Sequence, residues 1–184
     1  MRYPNNDDQQ NARGAALKTL KTIGLVLSIF AFSVTAHIET ANAGNLEDGV
    51  KAFAKKEYEA AAKLLRPLAE KGNAVAQYRI AMMHRMGLGF KKDRKEAQKW
   101  SKLAAKQGNA DAQQLLGSLY YKGEGAEPDD VSKAYMWYDV AAAQGNEEAK
   151  KDRDNVAKEM NPQQLAAARD KAQKCKVSKF AQCD

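Results

Sequence analysis

The chain has 184 residues, of which 44% are hydrophobic and 29% are charged, and its formal net charge is +7. This composition excludes a largely disordered chain, because such chains carry too few apolar residues to fold, and the length fits one domain plus a short processed segment. Ala dominates the apolar residues and β-branched residues are few, which favours closely packed helices over strands.

The N-terminal segment, residues 1–43, has the features of a secretory signal peptide. Basic residues precede an uncharged stretch at 23–36, and a short polar segment then ends in the sequence ANA before Gly44. The uncharged stretch has 14 residues, whereas a helix that crosses a bilayer needs about 20. We therefore expect cleavage after Ala43, with Ala36 as a second site, and a periplasmic or secreted protein. An uncleaved membrane anchor is the alternative, because the leading segment is long and carries acidic residues.

The charge of the exported chain limits its partners. Loss of residues 1–43 removes four basic and three acidic residues, so the net charge falls from +7 to +6 and the chain stays basic. Export makes a nucleic acid an unsuitable partner for this charge, whereas anionic envelope surfaces, acidic polysaccharides or acidic proteins fit it. The basic run at 91–102 is either a contact with such a surface or a solvated helix face.

A heptapeptide pattern recurs along the chain, as KGNAVAQ at 71–77, QGNADAQ at 107–113 and QGNEEAK at 144–150. Its glycines are 36 and 37 residues apart, and the second interval is one residue longer near Pro128. Repeats of this length without strand-like alternation predict stacked helical hairpins. The predicted segments are a degenerate N-terminal hairpin, two full repeats, a pair of capping helices and a C-terminal tail, at residues 44–72, 73–108, 109–145, 146–175 and 176–184.

Two kinds of turn recur within the repeats. Gly108 ends a helical run at a position that favours a left-handed residue, and Asn109 follows as the N-cap of the next helix. The other turn contains paired glycines and ends in Asp93 or Asp130, each of which is the expected cap of a helix. Glu96 follows Asp93 by three residues and completes a capping-box pattern.

Apolar residues recur at helical spacing on one face of each predicted helix. Gly117 lowers the helix propensity of its segment by about 1 kcal/mol, so we expect it where two helix backbones approach closely. Trp100 and Trp137 occupy the same repeat position, and we expect both in the core between repeats rather than as stacking platforms for sugars or bases. The apolar stripes are Ala76-Ile80-Met83 and Ala112-Leu116-Leu119, and the water-facing lysines of the intervening helix are Lys95, Lys99, Lys102 and Lys106.

The repeated residues resemble a known family. In order they read A-x-A/G-x-x-Y, G-x-G, an acidic cap, A-x-x-W and A-A-x-x-G-N-x-x-A, which looks like Sel1-like repeats, relatives of the tetratricopeptide repeats. The resemblance covers roughly residues 45–175, and the segments 66–78 and 134–169 are also similar to secreted bacterial members. It implies an all-α fold, a right-handed α/α solenoid of stacked helical hairpins, that serves as a protein-interaction scaffold.

An enzyme is the alternative class. Beyond residue 43 the sequence has a single histidine, His84, which aligns with Tyr120 and is interpreted as its half-buried substitute. A histidine-based metal site would have only this ring to use, and no S-x-x-K, S-D-N, K-T-G or phosphate-binding glycine motif occurs. Some cysteine-rich relatives are associated with β-lactamase activity, but this chain lacks a cysteine pair in each repeat. We predict no catalytic residue, metal or cofactor, with a β-lactamase-like or cell-wall hydrolase as the alternative.

Both cysteines, Cys175 and Cys183, lie close to the C-terminus. An exported protein with an even cysteine count usually oxidises them, so we predict a structural disulfide that holds the tail against the last helix. Seven residues separate the two cysteines, in contrast to the C-x-x-C spacing of thiol oxidoreductases.

The predicted partner-binding surface is the concave side, which the first helix of each hairpin lines in tetratricopeptide-like solenoids. Two arginines beside two methionines suit an acidic, partly apolar peptide or helix, so the predicted partner is another protein. A basic envelope- or polysaccharide-binding protein is the third alternative, and a membrane contact is expected only if the signal segment stays uncleaved. The predicted contact residues are Arg79, Met82, Arg85 and Met86 in one repeat and Gln114, Ser118, Tyr121 and Lys122 in the next.

Overall fold

The computed structural model describes residues 45–124 and 130–183, and every regular element in these ranges is an α-helix. The all-α prediction is confirmed. The predicted signal peptide lies outside the described residues, as does the extra residue near Pro128. The helices are α1 (residues 45–54), α2 (Tyr58–Glu70), α3 (Ala74–Met86), α4 (Arg94–Lys106), α5 (Ala110–Tyr121), α6 (Val131–Ala142), α7 (Glu147–Glu159) and α8 (Pro162–Val177).

Neighbouring helices from α2 to α7 pack against one another in chain order, and α8 packs against α6. The hairpins α3–α4 and α5–α6 correspond to the two full repeats of the sequence, and α4 of the first packs on α5 of the second. None of the helices in the described ranges is both long enough and apolar enough to cross a bilayer. The packing order is that of the predicted α/α solenoid.

The turn between α4 and α5 has the predicted chemistry. Gly108 is left-handed, with φ of +87°, and the side-chain oxygen of Asn109 accepts the backbone N–H of Ala112 at 2.8 Å. Asn73 and Asn146 cap α3 and α7 in the same way. One Gly-Asn pair therefore ends one helix and begins the next, at each of the repeated positions.

Asp93 and Asp130 cap the second helix of each hairpin, as predicted, but the full capping box predicted at Asp93 does not form. The carboxylate of Asp93 accepts the N–H of Glu96 at 3.0 Å, and Asp130 caps α6 similarly. The N–H of Asp93 donates to the carbonyl of His84 at 2.9 Å, and Glu96 instead accepts from Lys99 at 3.2 Å. The capping box at Asp93 thus forms only in its first half, because the loop closes onto α3.

A glutamine relay, which the sequence analysis did not foresee, joins consecutive hairpins. The buried Gln113 donates to the carbonyl of Ala105 at 3.0 Å and accepts a hydrogen bond from Gln144. One repeat earlier, Gln77 donates to a carbonyl near the end of α2 and accepts from Gln107 at 2.7 Å. The glutamines of the QGNADAQ pattern therefore satisfy buried backbone groups and fix the register between hairpins.

The buried side chains form three clusters along the stack. Trp137 is 1% exposed in the cluster that extends from α4 to α8, whereas the partly buried Trp100 packs against the other two clusters. A Cβ on Gly117 would lie 3.2 Å from the backbone carbonyl oxygen of Ala134 in α6 and 2.8 Å from the Tyr138 ring, so α5 and α6 approach closely at this glycine, as predicted. All six residues of the predicted apolar stripes are at most 1% exposed.

The C-terminal tail is fixed by a disulfide and by an aromatic contact. Cys175 of α8 and Cys183 form the predicted disulfide, with Cα atoms 4.6 Å apart, and both are fully buried. Phe180, between them, lies over Gly108, where an added Cβ would be 2.8 Å from its ring. The tail therefore contacts the turn between α4 and α5 as well as the last helix, which the sequence analysis did not predict.

Candidate partner-binding site

A groove between α3 and α5 contains half of the predicted contact residues. It encloses a cavity of about 190 Å³, and its apolar and polar side chains are contributed by three helices. This surface, the α3–α5 groove, is formed by Tyr78, Met82, Arg85 and Met86 of α3, Gln114 and Leu115 of α5, and Glu148 of α7.

Helical spacing explains why α3 contributes most of the groove. Tyr78, Met82 and Met86 recur at every fourth position, so they share one face of the helix. The opposite face carries the stripe that begins at Ala76 and is buried in the core. Met86 is 47% exposed, which leaves its thioether available at the edge of the groove.

Arg85 is held in place by two neighbours. Its Nη2 donates to Ser118 Oγ at 3.1 Å, and its Nε lies 3.4 Å from a carboxylate oxygen of Glu124. The Arg85 side chain is 27% exposed, and Ser118 is only 7% exposed. Ser118, a predicted contact residue, is thus buried beneath the surface and positions Arg85.

The remaining residues predicted on α5 have other contacts. Gln114 donates to Asp152 at 2.8 Å, and the hydroxyl of Tyr121 donates to Glu159 at 2.6 Å, so both residues tie α5 to α7. The hydrogen bond to Glu159 raises the pKa of Tyr121. Lys122 is exposed at the C-terminal end of α5 and, like Tyr121, does not line the groove.

Arg79 lies beside the groove rather than within it. Its guanidinium carbon is 5.4 Å from the centre of the Phe53 ring and 5.3 Å from that of Tyr78. Burial raises the pKa of the Tyr78 hydroxyl, with a smaller contribution from Asp111 in the same direction. The arginine is therefore framed by two aromatic rings next to the apolar floor of the groove.

A second concavity, the basic cleft, lies where α3 leads into α4. Its volume is about 870 Å³, and it is lined by residues of both charges with an excess of cations. The His84 ring stacks on Phe90 at 4.5 Å, and burial lowers the pKa of His84. The lining residues are His84, Phe90, Lys91, Lys92, Asp93, Arg94, Lys95 and Gly123.

The metal-ligating side chains of the described ranges do not cluster. No group of three or more His, Cys, Asp or Glu residues in 45–124 and 130–183 has the geometry to hold a metal ion.

Sequence reasoning missed three residues of the groove. Tyr78 and Leu115 were detectable, because each lies one helical turn from a predicted contact residue on the same helix. Glu148 belongs to α7, which the sequence assigned to a capping pair, so its approach to α3 had no local signal.

The fold is similar to that of two crystal structures. One is a protective antigen present in uropathogenic Escherichia coli strains that displays an SLR fold, with 30% identity, a TM-score of 0.71 and coverage of 76% of this chain. This chain spans 30% of the length of that antigen. The other is a Sel1 repeat protein from Oxalobacter formigenes, with 35% identity, a TM-score of 0.55 and coverage of 62% of this chain and 88% of that one. A search of curated proteins found no match.

The repeats themselves match a family over more than half of the chain. The matched segments are residues 41–73, 74–109 and 110–146. The last two contain the hairpins α3–α4 and α5–α6, whose turns, caps and core positions are described above. The chain belongs to the Sel1 repeat family.

Proposed function

We propose that the protein is an exported, non-enzymatic interaction scaffold or regulator that binds another protein on its first-helix face, the face formed by α1, α3, α5 and α7. Sel1 repeat proteins are typically protein–protein interaction scaffolds, which supports this class of function. The observation that carries the proposal is the α3–α5 groove. It combines an apolar floor of Met82 and Leu115 with polar groups at its rim, the arrangement expected of a recognition site.

The α3–α5 groove is partly preorganised for binding. Ser118 and Glu124 hold Arg85 in one orientation, so less side-chain entropy is lost when a ligand contacts it. Met82 and Met86 are flexible and polarizable, and such side chains adapt to apolar groups of different shape. Together these properties favour a protein segment that inserts an apolar side chain.

Two features support export. The N-terminal 43 residues have the pattern of a signal peptide, and Cys175 and Cys183 form a disulfide of the kind that persists in oxidising compartments. N-terminal sequencing of the protein from the periplasmic and extracellular fractions tests this part. A chain that begins at Gly44 or His37 supports it, and a membrane-bound chain with Met1 intact contradicts it.

The binding site is tested by a pair of matched substitutions. Met86 in the groove and Leu103 on α4 are 47% and 43% exposed, so replacing either with Glu places a similar charge at a similarly exposed position. Partners are crosslinked in the native compartment and compared for the parent protein, Met86→Glu and Leu103→Glu. We expect at least one partner to be lost with Met86→Glu and retained with Leu103→Glu. An identical set for both variants contradicts the assignment.

The basic cleft supports a second candidate function, retention on an anionic polymer of the cell envelope. Its exposed Lys91, Lys92 and Lys95 form no ion pair with any carboxylate of residues 45–124 and 130–183. Such unpaired charge attracts polyanions and weakens with salt.

A dextran sulfate column tests this candidate. Replacing the three cleft lysines with Gln is expected to lower the salt concentration at which the protein elutes. The control replaces Lys63, Lys151 and Lys171, which are exposed on other helices, and gives the same net charge. Equal shifts for the two triple variants mean that retention follows net charge and not the cleft.

A further inference from the structure

Charge is unevenly distributed around the α3–α5 groove. On its α1 side, the Arg79 guanidinium lies between the rings of Phe53 and Tyr78. Its Nε is buried without a hydrogen-bond acceptor, and no carboxylate within the described part of the chain forms an ion pair with it. Among the described residues, the cation beside the α1 side of the groove therefore has no neutralising partner.

The opposite side of the groove carries carboxylates. Glu148 of α7 lines the groove, and Asp111 at the start of α5 accepts a hydrogen bond from Asn146 at 3.2 Å. Both are exposed, and neither forms an ion pair with a cation of residues 45–124 or 130–183. This end of the groove is therefore negative.

Arg85 does not cancel this asymmetry. Glu124 lies 3.4 Å from both Arg85 and Arg94, so two cations share this carboxylate and the α3 side of the groove stays positive. Charges of both signs act on the Tyr78 hydroxyl: burial has the largest effect and raises its pKa, Asp111 and Glu148 raise it further, and Arg79 and Arg85 lower it. The groove thus has the Arg79 cation beside its α1 side, the Glu148 carboxylate on its α7 side and an apolar floor of Met82 and Leu115.

The volume of the groove limits the size of the side chain that it can hold. The cavity of about 190 Å³ is bordered by Met82, Met86 and Leu115, which leaves room for one large apolar side chain. An acidic group that follows this side chain toward α7 would meet Glu148 and Asp111, and like charges in contact oppose binding. The sequence predicts an acidic, partly apolar peptide or helix, and such a partner complements only the α3 half of the site when acidic residues lie on both sides of its apolar residue.

We propose that the α3–α5 groove binds a protein segment in which one apolar anchor residue is flanked by an acidic residue on one side and a basic residue on the other. This inference rests on the proposed scaffold function and specifies the chemistry of its partner. The anchor occupies the floor at Met82, the acidic residue pairs with Arg79, and the basic residue pairs with Glu148.

Selection from a phage-displayed library of random peptides tests the proposal. The exported protein is immobilised, and selections are run in parallel on the parent, Glu148→Lys and Leu103→Glu, the last as a control outside the groove. Peptides enriched on the parent and on Leu103→Glu are expected to share the acidic–apolar–basic order. On Glu148→Lys, enriched peptides are expected to carry acidic residues on both sides of the anchor.

Binding of the enriched peptides is then measured by fluorescence anisotropy. Glu148→Lys is expected to weaken acidic–apolar–basic peptides about three- to fivefold, the range of a partly exposed ion pair, and Met86→Glu is expected to remove binding. Peptides that depend on Met86 but share no charge order overturn this inference and leave the scaffold function standing. Peptides that bind Met86→Glu unchanged, or no enrichment over a blank surface, count against both.

Discussion

The hairpins α3–α4 and α5–α6 have the same turns but fill the space between their helices differently. In the second hairpin Tyr120 is 1% exposed and Trp137 is 1% exposed. In the first, the equivalent His84 is partly exposed and stacks on Phe90, and the equivalent Trp100 is only partly buried. The repeated turn residues therefore set the stacking, whereas the residues that differ decide how much aromatic core each hairpin holds.

The position of each hairpin in the stack explains this difference. Helix α6 packs against α5, α7 and α8, whereas α4 packs against α3 and α5. Gly117 also allows the Tyr138 ring to lie directly against the α5 backbone, while the first hairpin has Ala81 at the equivalent position. The second hairpin is thus enclosed on more sides and contains the larger aromatic side chains.

The largest expected effect comes from truncating the two tryptophans. Trp137→Ala should lower the free energy of unfolding by about 3–5 kcal/mol, the range for removing a fully buried large aromatic side chain. Trp100→Ala should cost roughly half as much, because part of its ring stays in water in the folded state. Urea unfolding of both variants, followed by circular dichroism, measures the difference. Equal losses would mean that exposure at this repeat position does not control its contribution.

An intermediate effect on the free energy of unfolding is expected when Ala replaces either of two glycines that have nearly the same backbone conformation. Gly108 and Gly145 have φ of +87° and +89°, so Ala at either position costs about 1 kcal/mol in backbone strain. Only at Gly108 would the new Cβ meet a side chain, the Phe180 ring at 2.8 Å. We therefore expect Gly108→Ala to be more destabilising by a further ~1 kcal/mol or more.

Adding Phe180→Ala to each glycine variant isolates the contribution of the tail to the difference between Gly108→Ala and Gly145→Ala. In a Phe180→Ala background, Gly108→Ala and Gly145→Ala should have equal effects on the free energy of unfolding, because the ring that distinguishes the two sites is gone. If Gly108→Ala stays more destabilising in this background, the difference does not come from the tail.

The smallest expected effect is a pH dependence of the free energy of unfolding that comes from His84 in the first hairpin. Burial lowers the pKa of His84 below its ordinary value of 6.5, so the unfolded chain binds a proton more readily than the folded one. Stability from this group is therefore complete above pH 6.5 and is lost as the pH falls below it, toward the folded-state pKa. His84→Tyr, which introduces the residue of the second hairpin, should reduce this slope. Chemical denaturation at several pH values checks it, and an unchanged slope contradicts it.

Most of the fold could be predicted from the sequence because its determinants are local and repeated. Gly108, Asn109 and Asp130 act within one or two turns of the chain, and the apolar stripes follow helical spacing. The capping box at Asp93 shows the limit of such reasoning. The backbone N–H of Asp93, which the Glu96 side chain would have accepted, instead donates to the carbonyl of His84. A tertiary contact replaced a local one.

The candidate site was predicted less completely, because it depends on how separate helices face each other. Half of the predicted residues line the α3–α5 groove, but Ser118 is buried by its neighbours, and Lys122 lies beyond the groove. Glu148 comes from a third helix, and no spacing within one helix indicates that it lines a groove with residues of α3. The glutamine relay could have been predicted from the sequence, because Gln77 and Gln113 recur at the same repeat position.

The contact of Phe180 with Gly108 bears on how the stack folds and opens. In a solenoid each repeat contacts only its neighbours, so a terminal repeat can detach without disturbing the middle. Here the last residues of the chain lie on a turn between α4 and α5, and Cys183 is buried in the cluster that extends from α4 to α8. Helices α4 to α8 are therefore expected to open as one cooperative unit. Among the described residues, the buried cluster of α1 and α2 reaches only as far as Trp100 of α4, so these two helices are expected to exchange their amide hydrogens first.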